Sequence, residues 1–348
     1  MLKLILVIFS TALLCSCSTS NLIKRSPISA KISSLVFTGY NQISYSEKRV
    51  NSYLNELKEL NINTASFLYT CYTDNIKSHN IDCGTYRTPK LNHLAKAIET
   101  AKKRNFQVSV RFYVDIANGT WRCKWDPSDK KTLFNNFNQH FKYFSKLIEK
   151  RKVDLLVIGS EYCKLTGQSN TDYWRTLVSN IRQNFKGKIT YAANGNEYNK
   201  SYEFKSIGFW NSLDYIGINH YHPIPLEYQD EEILDFQKHK INEYINVAKI
   251  ENKEIVITEF GFPGYKGARL SPYEWRKKTK SDQKDQAMLY RESLSAFKIF
   301  SHIKGVFIWR KLSLPVEVMQ KYNKNETDYG LYKREAWYEI QKYFSNYK

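Results

Sequence analysis

The stretch KLNHLAKAIETAKKRNFQVSVRFYV, residues 90–114, changes its period halfway along. In its first part Leu91, Leu94, Ala95 and Ile98 fall at i, i+3, i+4 and i+7, which is one face of a helix. From Phe106 the residues become β-branched and aromatic, as a buried strand requires. Helix followed directly by strand is half of a repeating βα unit, and the same change recurs in both directions along the chain. Upstream, SSLVF (33–37) precedes a helix near 46–59 carried by Val50, Tyr53, Leu54 and Leu57, with Ser46 as its cap, and INTASFLY (62–69) follows. Downstream come a long helix near 129–150, VDLLVIG (153–159), a helix near 171–185, KITYAA (188–193) and a weaker helix near 203–212. DYIGIN (214–219), a helix near 230–248, KEIVIT (253–258), a helix near 282–299, KGVFIW (304–309) and a helix near 333–346 complete the series. Strands that alternate with helices pair in parallel, and eight such units predict a single closed (β/α)8 TIM barrel, with a doubly wound open sheet as the alternative.

Residues 1–16 lie outside this pattern. Met1-Leu2-Lys3 and a mostly apolar run to Leu14 read as an export signal, too short to span a bilayer. Leu14-Cys15-Ser16-Cys17 resembles the bacterial lipobox, with Cys17 as the residue that is lipidated. The predicted organisation is therefore a lipoprotein signal over 1–16, a polar tether over 17–30 and one barrel domain over 31–348. The expected location is the cell envelope, at the outer membrane or cell surface, held by an N-terminal lipid anchor.

Composition narrows the partners. The net charge is +19, but the lysines are spread along amphipathic segments and no nucleic-acid-binding motif is present, so a solvated basic surface is expected rather than a nucleic-acid site. The 26 Tyr, 19 Phe and 7 Trp can build a large core and platforms for sugar rings. A monomer is expected.

A barrel places its working residues at the C-terminal ends of the strands. Glu161 ends the fourth strand in LLVIGSEYCK, and Glu259 ends the seventh in IVITEFGFPG. Acidic residues are seldom buried without a partner or a task. Two carboxyls converging across the barrel mouth suit glycoside cleavage, in which one protonates the leaving oxygen and the other stabilises or attacks the anomeric carbon.

With these residues in place the chain resembles glycoside hydrolase family 113 of clan A, retaining (β/α)8 hydrolases that typically act on β-mannan. The resemblance is carried by TPKLNHLAKAIETAKKRNFQVSV, YVDIANGTWR, VIGSEY, ITYAANGN, FWNSLDYIGINHYHP and IVITEFGF, within about residues 33–311. It implies a retaining hydrolase of a β-linked, mannan-like polysaccharide or oligosaccharide, without cofactor or metal. Glu161 would be the acid/base and Glu259 the nucleophile, with Tyr221 hydrogen-bonding the nucleophile. The chain departs from the family pattern at Arg111-Phe112-Tyr113, where Lys-Pro-His is expected, and at Gly195, where Trp is frequent. The alternative in another functional class is a carbohydrate-binding lipoprotein on the same scaffold, without catalysis.

Other strand-end residues are candidates for the substrate. Asn194 and Asn219 are suited to sugar hydroxyls, Asp115, Trp121 and Trp125 follow the third strand, and Trp309 ends the eighth, where its ring can floor a subsite. His220 and His222 flank Tyr221, with no third ligand that would make them a metal site. Four cysteines follow Cys17, and an exported chain can oxidise them. Loops after neighbouring strands favour Cys123 with Cys163, leaving Cys71 with Cys83, one of three connectivities.

Overall fold

The structure is a computed structural model that describes Arg25, residues 31–314 except Lys278, and residues 327–346. The expected signal, Cys17 and all of the expected tether except Arg25 lie outside the described residues. Barrel strands are numbered β1 Ile32–Thr38, β2 Thr64–Thr73, β3 Gln107–Ile116, β4 Leu155–Ser160, β5 Lys188–Asn194, β6 Tyr215–His220, β7 Glu254–Phe260 and β8 Ile303–Leu312. They form a closed parallel barrel in which β1 pairs with both β2 and β8, which excludes the open sheet. The helices are α1 Glu47–Glu59, α2 Leu91–Lys103, α3 Lys130–Lys150, α4 Thr171–Asn184, α5 Glu203–Ser206, α6 Asp230–Glu251, α7 Gln283–Ile299 and α8 Glu335–Ser345.

Two local expectations change. Ser46 does stand at the start of α1, but its hydroxyl makes no capping bond. The expected fifth helix is a single turn, α5, followed by a separate 3-10 turn at Trp210–Ser212. The segment before α5 is a short hairpin, Glu197–Tyr198 paired with Ser201–Tyr202.

The burial pattern explains why the strands lack polar alternation. Every residue of β1 and β2 is buried, because helices cover the outer face and side chains fill the lumen. Inside, Ile32, Val36, Leu155, Tyr215, Val256 and Phe307 form one packed layer. Above it lie Leu68, Tyr113, Val157 and Ala192, with Trp309 packed against both layers. One charged residue is threaded through this apolar lumen, Arg111 of β3, which is fully buried. Its guanidinium rests over the Phe307 ring at 4.8 Å.

The register shifts once at the barrel's lower end, between Ile303 and Gly305 of β8, and several times near the upper one. Shifts occur between Val157 and Ser160 of β4, between Ile218 and Asn219 of β6, and between Val306 and Ile308 of β8. Such bulges re-aim side chains at strand ends. Two disulfides, Cys71–Cys83 and Cys123–Cys163, staple the loops at this same end. Among the described residues no helix is long and apolar enough to cross a membrane.

Candidate active site

Glu161 follows β4 and Glu259 is the sixth residue of β7; both are buried. Glu161 has a left-handed backbone, φ 54°, which is uncommon for a residue with a Cβ and is found where a site holds it in place. That turn, with the register shift before it, lifts the side chain toward the mouth.

Three groups grip the Glu161 carboxyl. The Trp121 indole N–H donates to Oε2 at 2.8 Å, Arg122 reaches the same oxygen at 3.2 Å, and the Asn219 amide donates to Oε1 at 2.9 Å. Arg122 also donates to the Ser160 carbonyl at 2.8 Å and pairs with Asp115 at 3.0 Å. Burial works against the charge of Arg122, but Glu161 and Asp115 outweigh it and raise its pKa well above the usual guanidinium value. It is therefore a fixed cation.

A second set grips Glu259. Tyr113 donates its hydroxyl to Oε1 in a short hydrogen bond, and Tyr221 donates to Oε2 at 3.3 Å. Arg111 lies 3.6 Å from Oε1, donates to the Tyr113 hydroxyl at 3.1 Å, and reaches the Thr258 carbonyl. Burial raises the Glu259 pKa above its ordinary value, the charge of Glu161 adds to the rise, and Arg111, Arg122 and Tyr113 oppose it. Burial first, and Glu259's charge next, hold the Tyr113 and Tyr221 pKa values well above the usual phenol value, so both remain donors.

The expected substrate residues divide. Trp121 is 39% exposed at the mouth, in an edge contact with Tyr198 of the hairpin at 5.2 Å. Trp309 is partly buried between the lumen layers and the mouth. Asp115 is partly exposed and tied to Arg122. Asn219 differs from the expectation. It is 1% exposed, and its amide bridges the two strand ends, donating to Glu161 and Ser160 and accepting from Thr258 at 2.8 Å. Asn194 differs too, since both polar atoms of its side chain close a turn on the Asn196 backbone. Trp125 is a core residue whose indole donates to the Ser78 carbonyl. His220 and His222 are buried and share the Tyr244 hydroxyl, and burial lowers the His220 pKa to about 4. Among the described residues no cluster of His, Cys, Asp and Glu could hold a metal ion.

The segment after Glu259 turns for a different reason than backbone freedom alone. A Cβ at Gly261 would lie 2.5 Å from the Trp309 carbonyl, so glycine is needed for the close approach of β8. Beyond it Tyr265 is buried, while Tyr273 and Trp275 are exposed, with Arg310 over the Trp275 ring at 4.8 Å.

Arg122 was not among the residues expected at the site, and Arg111 and Tyr113 were singled out only as departures from the family pattern. A charged residue inside the apolar run FQVSVRFYV was the available signal, because a buried arginine needs a partner. Glu203 gave no such signal. It is buried behind Glu161 and accepts from Tyr191 at 2.7 Å, Thr166 at 2.9 Å and the Asn194 N–H at 2.6 Å. Tyr191 in turn accepts from the N–H of Tyr162, the residue after Glu161, at 2.6 Å.

With the geometry defined, three comparisons place the chain among known proteins. The model of Glycoside Hydrolase Family 113 matches residues 36–334. No curated protein matches the sequence. Among solved structures, a complex of a family 113 β-1,4-mannanase aligns with a TM-score of 0.80 at 20% identity, covering 91% of this chain and 99% of that one. The family 113 β-mannanase from Alicyclobacillus acidocaldarius in complex with ManMIm aligns at 0.78 and 17% identity, covering 92% and 99%. A Ruminococcus gnavus β-glucuronidase in complex with D-glucaro 1,5-lactone aligns at 0.61 and 12% identity, covering 90% of this chain and 50% of that one. At these identities the structural likeness speaks for the fold alone.

Proposed function

The chain belongs to glycoside hydrolase family 113, and on that premise we propose that it cleaves a β-linked, mannan-like polysaccharide or oligosaccharide with net retention. Glu259 attacks the anomeric carbon as Glu161 protonates the leaving oxygen. Glu161, now ionised, deprotonates a water that displaces Glu259 from the glycosyl-enzyme. The observation that carries this reading is the pair of buried carboxyls, each gripped by its own donors. Tyr113, Tyr221 and Arg111 hold and orient Glu259, while Trp121 and Asn219 aim Glu161. Trp121 and Trp309 serve as ring platforms at the mouth.

The mannan preference draws support from the β-mannanases that share the fold and family. The test is a panel of β-linked polysaccharides and oligosaccharides, with the product anomer read by NMR before mutarotation. Hydrolysis with retention is expected. Inverted product, or tight glycan binding without turnover, overturns the proposal. We also propose that Cys17 is lipidated after export and anchors the enzyme to the cell envelope, on the support of the Leu14–Cys17 pattern and the apolar run before it.

A further inference from the structure

In a (β/α)8 barrel the helices run against the strands, so helix C-termini and strand beginnings share one end, opposite the catalytic mouth. Here that end is rich in lysine. Lys103 and Lys150 are the last residues of α2 and α3, and Lys249 and Lys298 lie in the last turns of α6 and α7; all four are exposed. Lysine at a helix C-terminus is ordinary, because it complements the helix dipole. Lys186 and Lys253 follow the same rule, each two residues past the end of α4 and α6, and Lys186 donates to the Arg182 carbonyl at 3.1 Å. The dipole does not account for two isoleucines beside the lysines: Ile250 is 82% and Ile299 56% exposed, on the neighbouring helices α6 and α7. Acids stand at both ends, Glu59, Glu251 and Glu254 among these lysines and Asp129, Asp172, Asp230 and Asp282 at the mouth-end starts of α3, α4, α6 and α7.

The chain also enters at the lysine-rich end. β1 starts there at Ile32, and Arg25 is fastened there. Its guanidinium donates to the Val153 carbonyl at 3.1 Å, pairs with Glu149 at 2.6 Å and lies over Phe185 at 5.4 Å. Cys17 is eight residues ahead of Arg25, a reach of roughly 28 Å at full extension.

We propose that the strand-start end of the barrel is a docking surface for an anionic lipid bilayer. Lysine ammonium groups meet lipid phosphates, and Ile250 and Ile299 enter the headgroup boundary. A lipidated Cys17 then holds the barrel with its mouth turned away from the membrane, toward polymeric substrate. The orientation rests on the proposed anchor, whereas the surface itself is tested without it.

The mature chain carrying Cys17→Ser is sedimented with vesicles of phosphatidylcholine alone and of phosphatidylcholine with phosphatidylglycerol. Binding to the anionic vesicles only, released by high salt, is expected. Lys103→Glu, Lys249→Glu and Lys298→Glu together should weaken it about tenfold or more. Lys77→Glu, Lys124→Glu and Lys164→Glu, at the mouth end, should leave it near the parent value. Ile250→Ser with Ile299→Ser should weaken what binding survives at intermediate salt. No preference for anionic vesicles, equal loss from the two lysine sets, or binding to soluble polyglutamate but not to vesicles overturns the proposal. Hydrolysis of a soluble oligosaccharide, measured on every variant, reports separately on the catalytic reading.

Discussion

Cys123 is bonded to Cys163, and this one bond joins the loop that carries Trp121 and Arg122 to the loop that starts at Glu161. Two of the three groups that grip the carboxyl of Glu161 are therefore covalently tied to its own backbone, two residues away. Cys71–Cys83 closes a loop after β2 that supplies none of these contacts.

The two bridges should separate stability from catalysis. From sequence separations of 12 and 40, removal of Cys71–Cys83 and of Cys123–Cys163 should cost about 3 and about 4 kcal/mol. Cys123→Ser with Cys163→Ser should also lower kcat/KM on a poor leaving group by roughly ten- to a hundredfold. An activated aryl glycoside, which needs little protonation, should be affected far less. Thermal melts and the two substrates side by side check this; equal loss on both would reduce the bridge to a staple.

The two glutamates should fail differently. Glu161→Ala should slow substrates with poor leaving groups by roughly 10²–10⁴-fold, and added azide should restore turnover of the activated glycoside with a retained product. Glu259→Ala should be nearly inactive on both, and azide should then give an inverted product. Swapped behaviour reverses the assignment, and full activity in either variant removes that residue from the mechanism.

The pH dependence follows from burial. The proposed nucleophile must be ionised, and burial, the largest cause, lifts Glu259 above its ordinary 4.5. Activity should therefore fall as pH drops through this raised value, at a higher pH than an isolated glutamate would set. The proposed acid must carry its proton on that limb, so the neutral Glu161→Gln should leave the acid limb of kcat/KM on an activated glycoside where it is. A limb that moves down would mean that Glu161 is charged where Glu259 titrates, which does not suit an acid.

Much of this was legible in the sequence, and unevenly so. The strands and all but one long helix were readable because each buries a continuous face, and periodicity reports burial. Glu161 and Glu259 were readable because an acid at the end of an apolar run is rare. Helix five was not: its stretch buries Phe204 and Trp210 from a loop, so hydrophobicity persists without helical pairing. The protein partners of Asn219 were not legible for a related reason. A strand-end amide can face sugar or protein, and only the bulge after Ile218 decides that it reaches Glu161. The disulfides followed from which loops are neighbours in a barrel, a topological argument that needs no distances.

Glu203 offers a test of buried charge. Burial raises its pKa to about 7, against the hydrogen bonds from Asn194, Tyr191 and Thr166. Its folded value exceeds its unfolded one, so its contribution to stability is fully present below about 4.5 and is lost as pH rises through about 7. The loss is a few kcal/mol at most, because each tenfold change in proton affinity is worth about 1.4 kcal/mol. His220, lowered to about 4 by burial, contributes with the opposite sign, so the wild-type curve alone is ambiguous. The difference between wild type and Glu203→Gln isolates the carboxyl: the variant should lose less stability between about pH 5 and 8. Parallel curves would show that Glu203 is ionised throughout.

Tyr113 is the residue on which the orientation of Glu259 turns. Its hydroxyl accepts from Arg111 at 3.1 Å and donates to Glu259, so the cation in the lumen acts on Glu259 both directly and through this phenol. Tyr113→Phe removes the donor and leaves Arg111 with one acceptor fewer. Because that hydrogen bond favours ionised Glu259, its loss should move the acid limb of kcat/KM upward. With a site that still binds substrate, kcat should fall about tenfold or more while KM changes little, since the bond acts on the reacting carboxyl. Tyr221→Phe breaks the longer bond at 3.3 Å and should have the smaller effect of the two. If Tyr113→Phe raised KM alone, with an unmoved limb, the phenol would be a wall of the sugar site rather than a support for Glu259.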